Sequence, residues 1–235
     1  VGEIIVLVSD KIRDRLQKAG KRYWAGDNIS DVIKANELED LIDEAELAFQ
    51  DVLKALVIDP EDPNSADTPR RLAKMYINEL MEGRYHARPR VAAFPNDNTE
   101  DRYTGMLVVR AELKSMCSHH HQPVRGTAYI GIIPGVKVIG LSKYARIAQW
   151  CARRGTLQEE LTRNIADEIM QATGSEDVGV YIQGTHGCME NRGVCAHSSL
   201  TQTCVLRGQF YSASIKEEFY NNIKLQQGTV ANAVG

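Results

Sequence analysis

The sequence predicts an α+β protein: a helical N-terminal region, then an antiparallel sheet with two helices on one face. Three observations carry this prediction. Up to about residue 100, apolar residues recur at helical spacing, most clearly over 35–57. From Tyr103 the period shortens to that of strands, in 106–113, in the alternating run 124–133 and again in Val178, Val180 and Ile182. Between those runs lie two helical patterns, and the order strands, two helices, strands favours an antiparallel sheet with its helices segregated to one face. The chain therefore divides into a helical region with a connector (1–100), a core domain (101–216), and a C-terminal helix and tail (217–235).

In chain order, Ile4, Ile5, Val8, Ile12 and Leu16 have helical spacing over 3–19, although the Ile- and Val-rich start also fits a strand. A loop spans 20–30. The helix over 35–57 aligns Leu38, Leu41, Ile42, Ala45, Phe49, Val52, Leu53 and Leu56 on one stripe, with a solvated acidic face opposite. A turn-rich linker at 59–67 leads to Thr68-Pro69, an N-cap followed by a proline at the first helical position, and a helix to Gly83. Arg70, Arg71 and Lys74 oppose the dipole of that helix start, so they are either solvated surface or held by something anionic. Prolines 89 and 95 mark 84–101 as a connector. A short strand at 136–141 follows the turn marked by Pro134-Gly135, and Ser142 caps the first of the two later helices. Gly174 closes the second helix. A strand over 199–211 and a helix over 215–225 complete the pattern, and the tail from Gln226 reads as frayed.

Composition narrows the function. A 235-residue chain with 43% apolar and 25% charged residues is ordinary for a soluble globular protein. A net charge of −3 argues against general nucleic-acid binding. No apolar run approaches the ~20 residues of a membrane helix, and residues 3–8 lack the flanks of a signal peptide. Five cysteines without a close pair point to a reducing, cytoplasmic setting. Cys151 and Cys204 sit among apolar residues and read as small buried hydrophobes.

The remaining cysteines carry chemistry. Cys117 and His120 are spaced C-x2-H, so one loop presents both to one metal, and Cys188 lies far along the chain with His186 two residues before it. Three protein ligands with an open position describe a catalytic zinc, and thiolate with imidazole suits zinc better than magnesium or calcium. Against this stands a plain reading, in which His119, His120 and His121 form a solvated loop and Cys117 is simply buried. Cys195 and His197 are an alternative ligand pair, as a closed structural site would need. Zinc lowers the pKa of water to about 7, which makes hydrolysis the economical reaction class. His119 and His186 are the spare imidazoles for proton transfer. Ser142, Lys143 and Arg146 stand at a helix start, where backbone N–H groups bind anions. With Arg192, Arg71 and Lys74 they supply enough charge for a triphosphate, although each alone is more often a surface residue.

At these residues the chain resembles the GTP cyclohydrolase I family, from about Thr68 to Phe210. The motifs are Thr68-Pro-x-Arg71-x-Ala-Lys74-Met, Cys117-x-His119-His120, Gly140-Leu-Ser142-Lys143-x-x-Arg146-Ile, Gln158-Glu159-x-Leu-Thr, and His186-x-Cys188 followed by Arg192-Gly-Val. The resemblance implies a tunnelling fold, two stacked pentameric rings with active sites between subunits, and conversion of GTP with water to 7,8-dihydroneopterin triphosphate and formate, the opening step of pterin and folate-type biosynthesis. It implies that Cys117, His120 and Cys188 hold Zn2+. His186 and His119 would move protons, Glu159 with Gln158 would take the guanine edge, and Ser142, Lys143, Arg146, Arg192, Arg71 and Lys74 would hold the triphosphate. Ser118, His121 and Glu160 depart from the family's usual Glu, Phe and Arg. Two other readings share the motifs: a related zinc enzyme acting on another purine nucleotide or a pterin, and a catalytically silent nucleotide-binding subunit.

Overall fold

The computed structural model describes residues 7–97 and 102–233, with side chains through Gly228. The chain divides into two compact units, 1–87 and 88–235, where the sequence pattern had placed a boundary near residue 100.

In the first unit, α1 (Val8–Lys18) buries Val8, Ile12 and Leu16, one face of a helix, against Ile29. Ile4 and Ile5, the start of that expected pattern, lie outside the described residues. Helix α2 (Glu37–Ala55) is joined to α1 by Glu37, whose carboxylate accepts hydrogen bonds from both terminal nitrogens of Arg15, at 2.9 Å from Nη1, and from the Lys34 N–H at 2.8 Å. The apolar stripe of α2 is only partly covered. Ile42 packs on Ala73 and Ile77, whereas Val52 and Leu56 are exposed, because the partner helix is short. That partner, α3 (Thr68–Met75), is capped by Asp67 and not by Thr68, which is itself helical. The single helix expected to Gly83 breaks at a π-helical turn, Tyr76–Leu80, where the Met81 N–H reaches back five residues to the Tyr76 carbonyl, and resumes as α4 (Glu82–Tyr85). The acidic face of α2 is not merely solvated. Glu39, Asp43 and Glu46, at i, i+4 and i+7, all pair with Arg70, so the anion that holds this cation at a helix start is α2 itself.

In the second unit, β2 (Leu107–Met116), β3 (Pro123–Ile132), β5 (Val178–His186) and β6 (Thr201–Leu206) form one antiparallel sheet in the order β2-β3-β5-β6. The strand expected over 136–141 is β4 (Lys137–Ile139). It leaves that sheet and pairs with β1 (Ala93–Pro95), a strand in what the prolines marked as connector. Helices α5 (Leu141–Ala152) and α6 (Gln158–Thr173) cover one face, with Ile147, Ile165 and Ile169 packed on Ile130 and Val180. The opposite face is closed by the 3-10 turn Gly208–Tyr211, where the expected last strand has already ended, and by α8 (Ala213–Ala233). The tail from Gln226 is thus helical to residue 233, and the Gln226 amide donates to the Val108 carbonyl at 3.2 Å. Phe210 and Phe219 meet edge to face, ring centroids 5.3 Å apart, directly over Gly131 and Gly179. A β-carbon at Gly179 would stand 2.5 Å from Phe210, so the aromatic pair fits only because those strand positions have no side chain. Among the described residues no helix is long and apolar enough to cross a membrane.

Candidate active site

The site is assembled at one end of the β2-β3-β5 sheet. The turn between β2 and β3 is tight: the Cys117 N–H bonds to the Gln122 carbonyl at 3.0 Å, and the His121 N–H returns to the Cys117 carbonyl at 2.9 Å. That closure needs a left-handed residue, supplied by His121 at φ 50°. It places Cys117 at the buried base of the turn and His119, His120 and His121 on its exposed tip. Cross-strand register sets Val124 against His186, which brings the end of β5 beside the base of that turn. The chain then enters a short helical turn, α7 (Gly187–Glu190), which carries Cys188.

The result is a cluster. One ligating atom each of Cys117, His186 and Cys188 lies within 4.8 Å of the others, a set able to hold a metal ion. Burial pushes the Cys188 thiol above its ordinary range, and the neighbouring Cys117 pushes it the same way by charge and by a hydrogen bond. Arg192 works against them. A cation between the two sulfurs would relieve that opposition to ionising Cys188. Burial lowers the His186 pKa, while the charges of Glu159 and Glu190 partly restore it, so Glu159 lies within electrostatic reach of the imidazole. The His186 Nε2 lies 2.8 Å from the Gln158 Oε1.

The other sequence-derived candidates fall as follows. His120 stands on the turn beside His119, ring centroids 6.4 Å apart, and is not among the three converging side chains. Gln158 and Glu159 open α6. Gln158 is buried with its amide turned inward, and Glu159 is exposed. Glu160, the departure that reverses a charge, accepts a hydrogen bond from the Thr156 hydroxyl at 2.8 Å, which gives its carboxylate a partner at the start of its own helix. Helix α5 is capped by Gly140. Ser142 is therefore its second residue and not its cap, exposed like Arg146 one turn on, with Lys143 half-buried between them. Arg192 is exposed just beyond α7. Arg71 and Lys74 belong to the first unit, exposed on α3, where Arg71 pairs with Asp67 at 3.2 Å. Cys195 and His197 are exposed and outside the cluster. Cys151 is an inert core thiol, pushed by burial to about 12. Cys204, expected in the core, instead sits on the exposed side of β6 with the Tyr220 hydroxyl 3.4 Å from its sulfur.

Sequence spacing missed the polar network behind His186. Thr162 and Thr203 stand 41 residues apart with their hydroxyl oxygens at 2.7 Å, and no local pattern links a helix threonine to a strand threonine at that separation.

Comparison with known proteins bears on this arrangement. A family model described as GTP cyclohydrolase I matches residues 45–224. A protein named GTP cyclohydrolase 1 from Aeromonas salmonicida is 39% identical over 176 residues, covering 74% of this chain and 79% of the relative. Proteins of the same name from Flavobacterium johnsoniae and Alkalilimnicola ehrlichii are 35% identical over 189 residues and 42% identical over 169 residues. They align with 80% and 70% of this chain, and 83% and 88% of their own.

Proposed function

We propose a function from one premise: this chain belongs to the GTP cyclohydrolase I family. It hydrolyses GTP, taking up water to give 7,8-dihydroneopterin triphosphate and formate. The observation that carries this reading to the present residues is the convergence of two thiols and an imidazole within 4.8 Å, with the Glu159 carboxylate in electrostatic reach of that imidazole.

The donor set fits zinc, because two soft sulfurs and a nitrogen at one point favour it over oxygen-seeking cations. Cys117 and Cys188 would hold the ion, with His120, on the exposed turn that carries Cys117, as the third ligand, while His186, tied to Gln158, is kept for proton transfer. Bound zinc supplies a Lewis acid that makes water a nucleophile near neutral pH. His186 protonates a purine ring nitrogen, and burial, which lowers its pKa, makes the charged imidazole give up that proton readily. His119, exposed on the same turn, moves protons as the ring and ribose open. The Glu159 carboxylate accepts from the N–H groups of the guanine edge. Ser142, Lys143, Arg146 and Arg192 hold the triphosphate. We place the protein in the cytoplasm, as a homo-oligomer of two stacked pentamers.

The metal geometry favours a second reading on one point: His186, already within 4.8 Å of both sulfurs, could be the third ligand in place of His120. Zinc stoichiometry of His120→Ala and His186→Ala separates the two, since only the true ligand loses the ion. The function itself is tested by incubating zinc-loaded protein with GTP and following formate release and pterin fluorescence after oxidation. Both products, lost in Cys188→Ser and His119→Ala, are expected. Neither product from protein that has bound zinc and GTP would sink the reading.

A further inference from the structure

The network behind His186 leaves no freedom in the direction of its hydrogen bonds. The Thr162 hydroxyl lies 2.7 Å from the Gln158 backbone carbonyl, which only accepts, so Thr162 donates there. Its oxygen must then accept the hydrogen of the Thr203 hydroxyl, 2.7 Å away. With that hydrogen spent, Thr203 has only lone pairs to offer the Gln158 side chain at 3.1 Å, so the group facing it is the amide nitrogen. The Thr201 and Ile182 carbonyls, at 3.2 and 3.4 Å from the same atom, require the same assignment. The amide oxygen is thereby turned to His186, 2.8 Å away, and the imidazole must present an N–H at Nε2. The close approach is built into the strand. A β-carbon at Gly184 would stand 3.1 Å from that oxygen, tighter than most real contacts.

We propose that Gln158 is a positioning residue that, oriented by Thr162 and Thr203, fixes the ring direction and tautomer of His186, leaving Nδ1 as its only basic atom. This rests on the reading of His186 as a proton carrier and deepens it. The neutral imidazole has two tautomers, and which nitrogen is basic is set by the bond that the other makes. A ring free to flip or to exchange tautomers would present the wrong atom for part of the time. Gln158 thus acts through His186 and not by touching substrate, because its amide nitrogen already faces three acceptors inside the fold.

The test has two arms. Solid-state 15N spectra of histidine-labelled full-length protein, recorded without substrate above the histidine titration range, read the tautomer directly, with His186→Asn identifying the signal. The expected result is the Nε2–H form, giving way to a tautomer mixture in Gln158→Leu and in the milder Thr203→Val. Steady-state kinetics then compare the same variants. Losing that hydrogen bond should lower activity about two- to twelvefold, and the loss should fall on kcat with KM for GTP little changed. Gln158→Glu, which keeps an acceptor toward His186, should recover part of the kcat lost in Gln158→Leu. A wild-type Nδ1–H form overturns the proposal whether or not GTP is converted. An Nε2–H form that persists in both variants, or a loss confined to KM, overturns it as well. Absence of GTP turnover in the wild type would count against the proposed reaction and leaves the spectral arm to decide the tautomer.

Discussion

Substituting Gly184 with alanine probes the active site without touching any group that contacts substrate. The added methyl would lie 3.1 Å from the Gln158 Oε1, 3.3 Å from the Arg125 carbonyl and 3.6 Å from the Val124 Cγ1. The two strand neighbours are backbone or packed, so the amide oxygen must give way by a few tenths of an ångström. Its hydrogen bond to His186, now 2.8 Å, lengthens or bends in consequence. A hydrogen bond of this kind contributes about 0.5–1.5 kcal/mol net. At about 1.4 kcal/mol per factor of ten, losing it slows turnover roughly two- to twelvefold. Stability should hardly move, because alanine in an extended strand restricts the unfolded chain and stabilises by about 0.4–1 kcal/mol, which offsets the crowding. The assay is kcat for formate release and a melting curve on the same preparation, for Gly184→Ala alone and on a Gln158→Leu background. If the methyl acts through Gln158, it costs nothing further once Gln158 is gone. Unchanged kcat in the single variant, or full additivity in the double one, would refute the reasoning.

Three further outcomes follow from the structure. Burial alone would raise the carboxyl pKa of Glu37, but the hydrogen bond from Arg15, the Lys34 N–H and the nearby charges outweigh it and hold it below 4.5. Its contribution is therefore complete above pH 4.5 and is lost as pH falls through the lower folded value. Glu37→Gln should cost about 1.5–3 kcal/mol near neutrality, and its melting-temperature gap to wild type should close in acid; a constant gap would speak against the linkage. Phe219→Ala empties a fully buried site against Phe210 and should cost about 3–5 kcal/mol, read from the urea midpoint. Arg146→Ala should remove a charge-assisted bond to the triphosphate worth about 1.5–3 kcal/mol, raising KM for GTP at least tenfold with kcat nearly unchanged; an unaltered KM would remove Arg146 from the phosphate grip.

How legible the fold was depended on how strongly each segment repeats. Helix α2 and strands β3 and β5 carry long, regular periods, and they appear within two or three residues of where those periods place them. Strand β1 is three residues long and ends on Pro95, so it offers neither an alternation nor a propensity to read. The end of α8 is small and polar, and a composition that resembles a frayed tail continues as helix to residue 233. Arg70 was ambiguous for a different reason. Whether a cation is solvated or clamped depends on which faces of two helices meet, and only the packing of α3 on α2 supplies Glu39, Asp43 and Glu46. In the site, Cys117 and Cys188 stand out as the thiols set beside histidines, and cross-strand register accounts for their meeting. The choice among histidines was less accessible. C-x2-H spacing favours His120, but the tight turn that buries Cys117 also throws His120 outward, and the end of β5 delivers His186 to the sulfurs instead.

The aromatic lid on the far side of the sheet constrains how this sequence can change. Phe210 and Phe219 occupy the space that side chains at 131 and 179 would fill, with a β-carbon at either glycine less than 3 Å from a ring. Neither partner can be exchanged singly without a clash on one side or a void on the other. The four positions should therefore behave as one heritable unit: a branch of the family that gains an alanine at position 179 is expected to carry a smaller residue at 210, and the order of those two replacements is constrained. Shrinking the ring first leaves a cavity that the fold can survive, whereas adding the methyl first drives a strand against a ring that has nowhere to move.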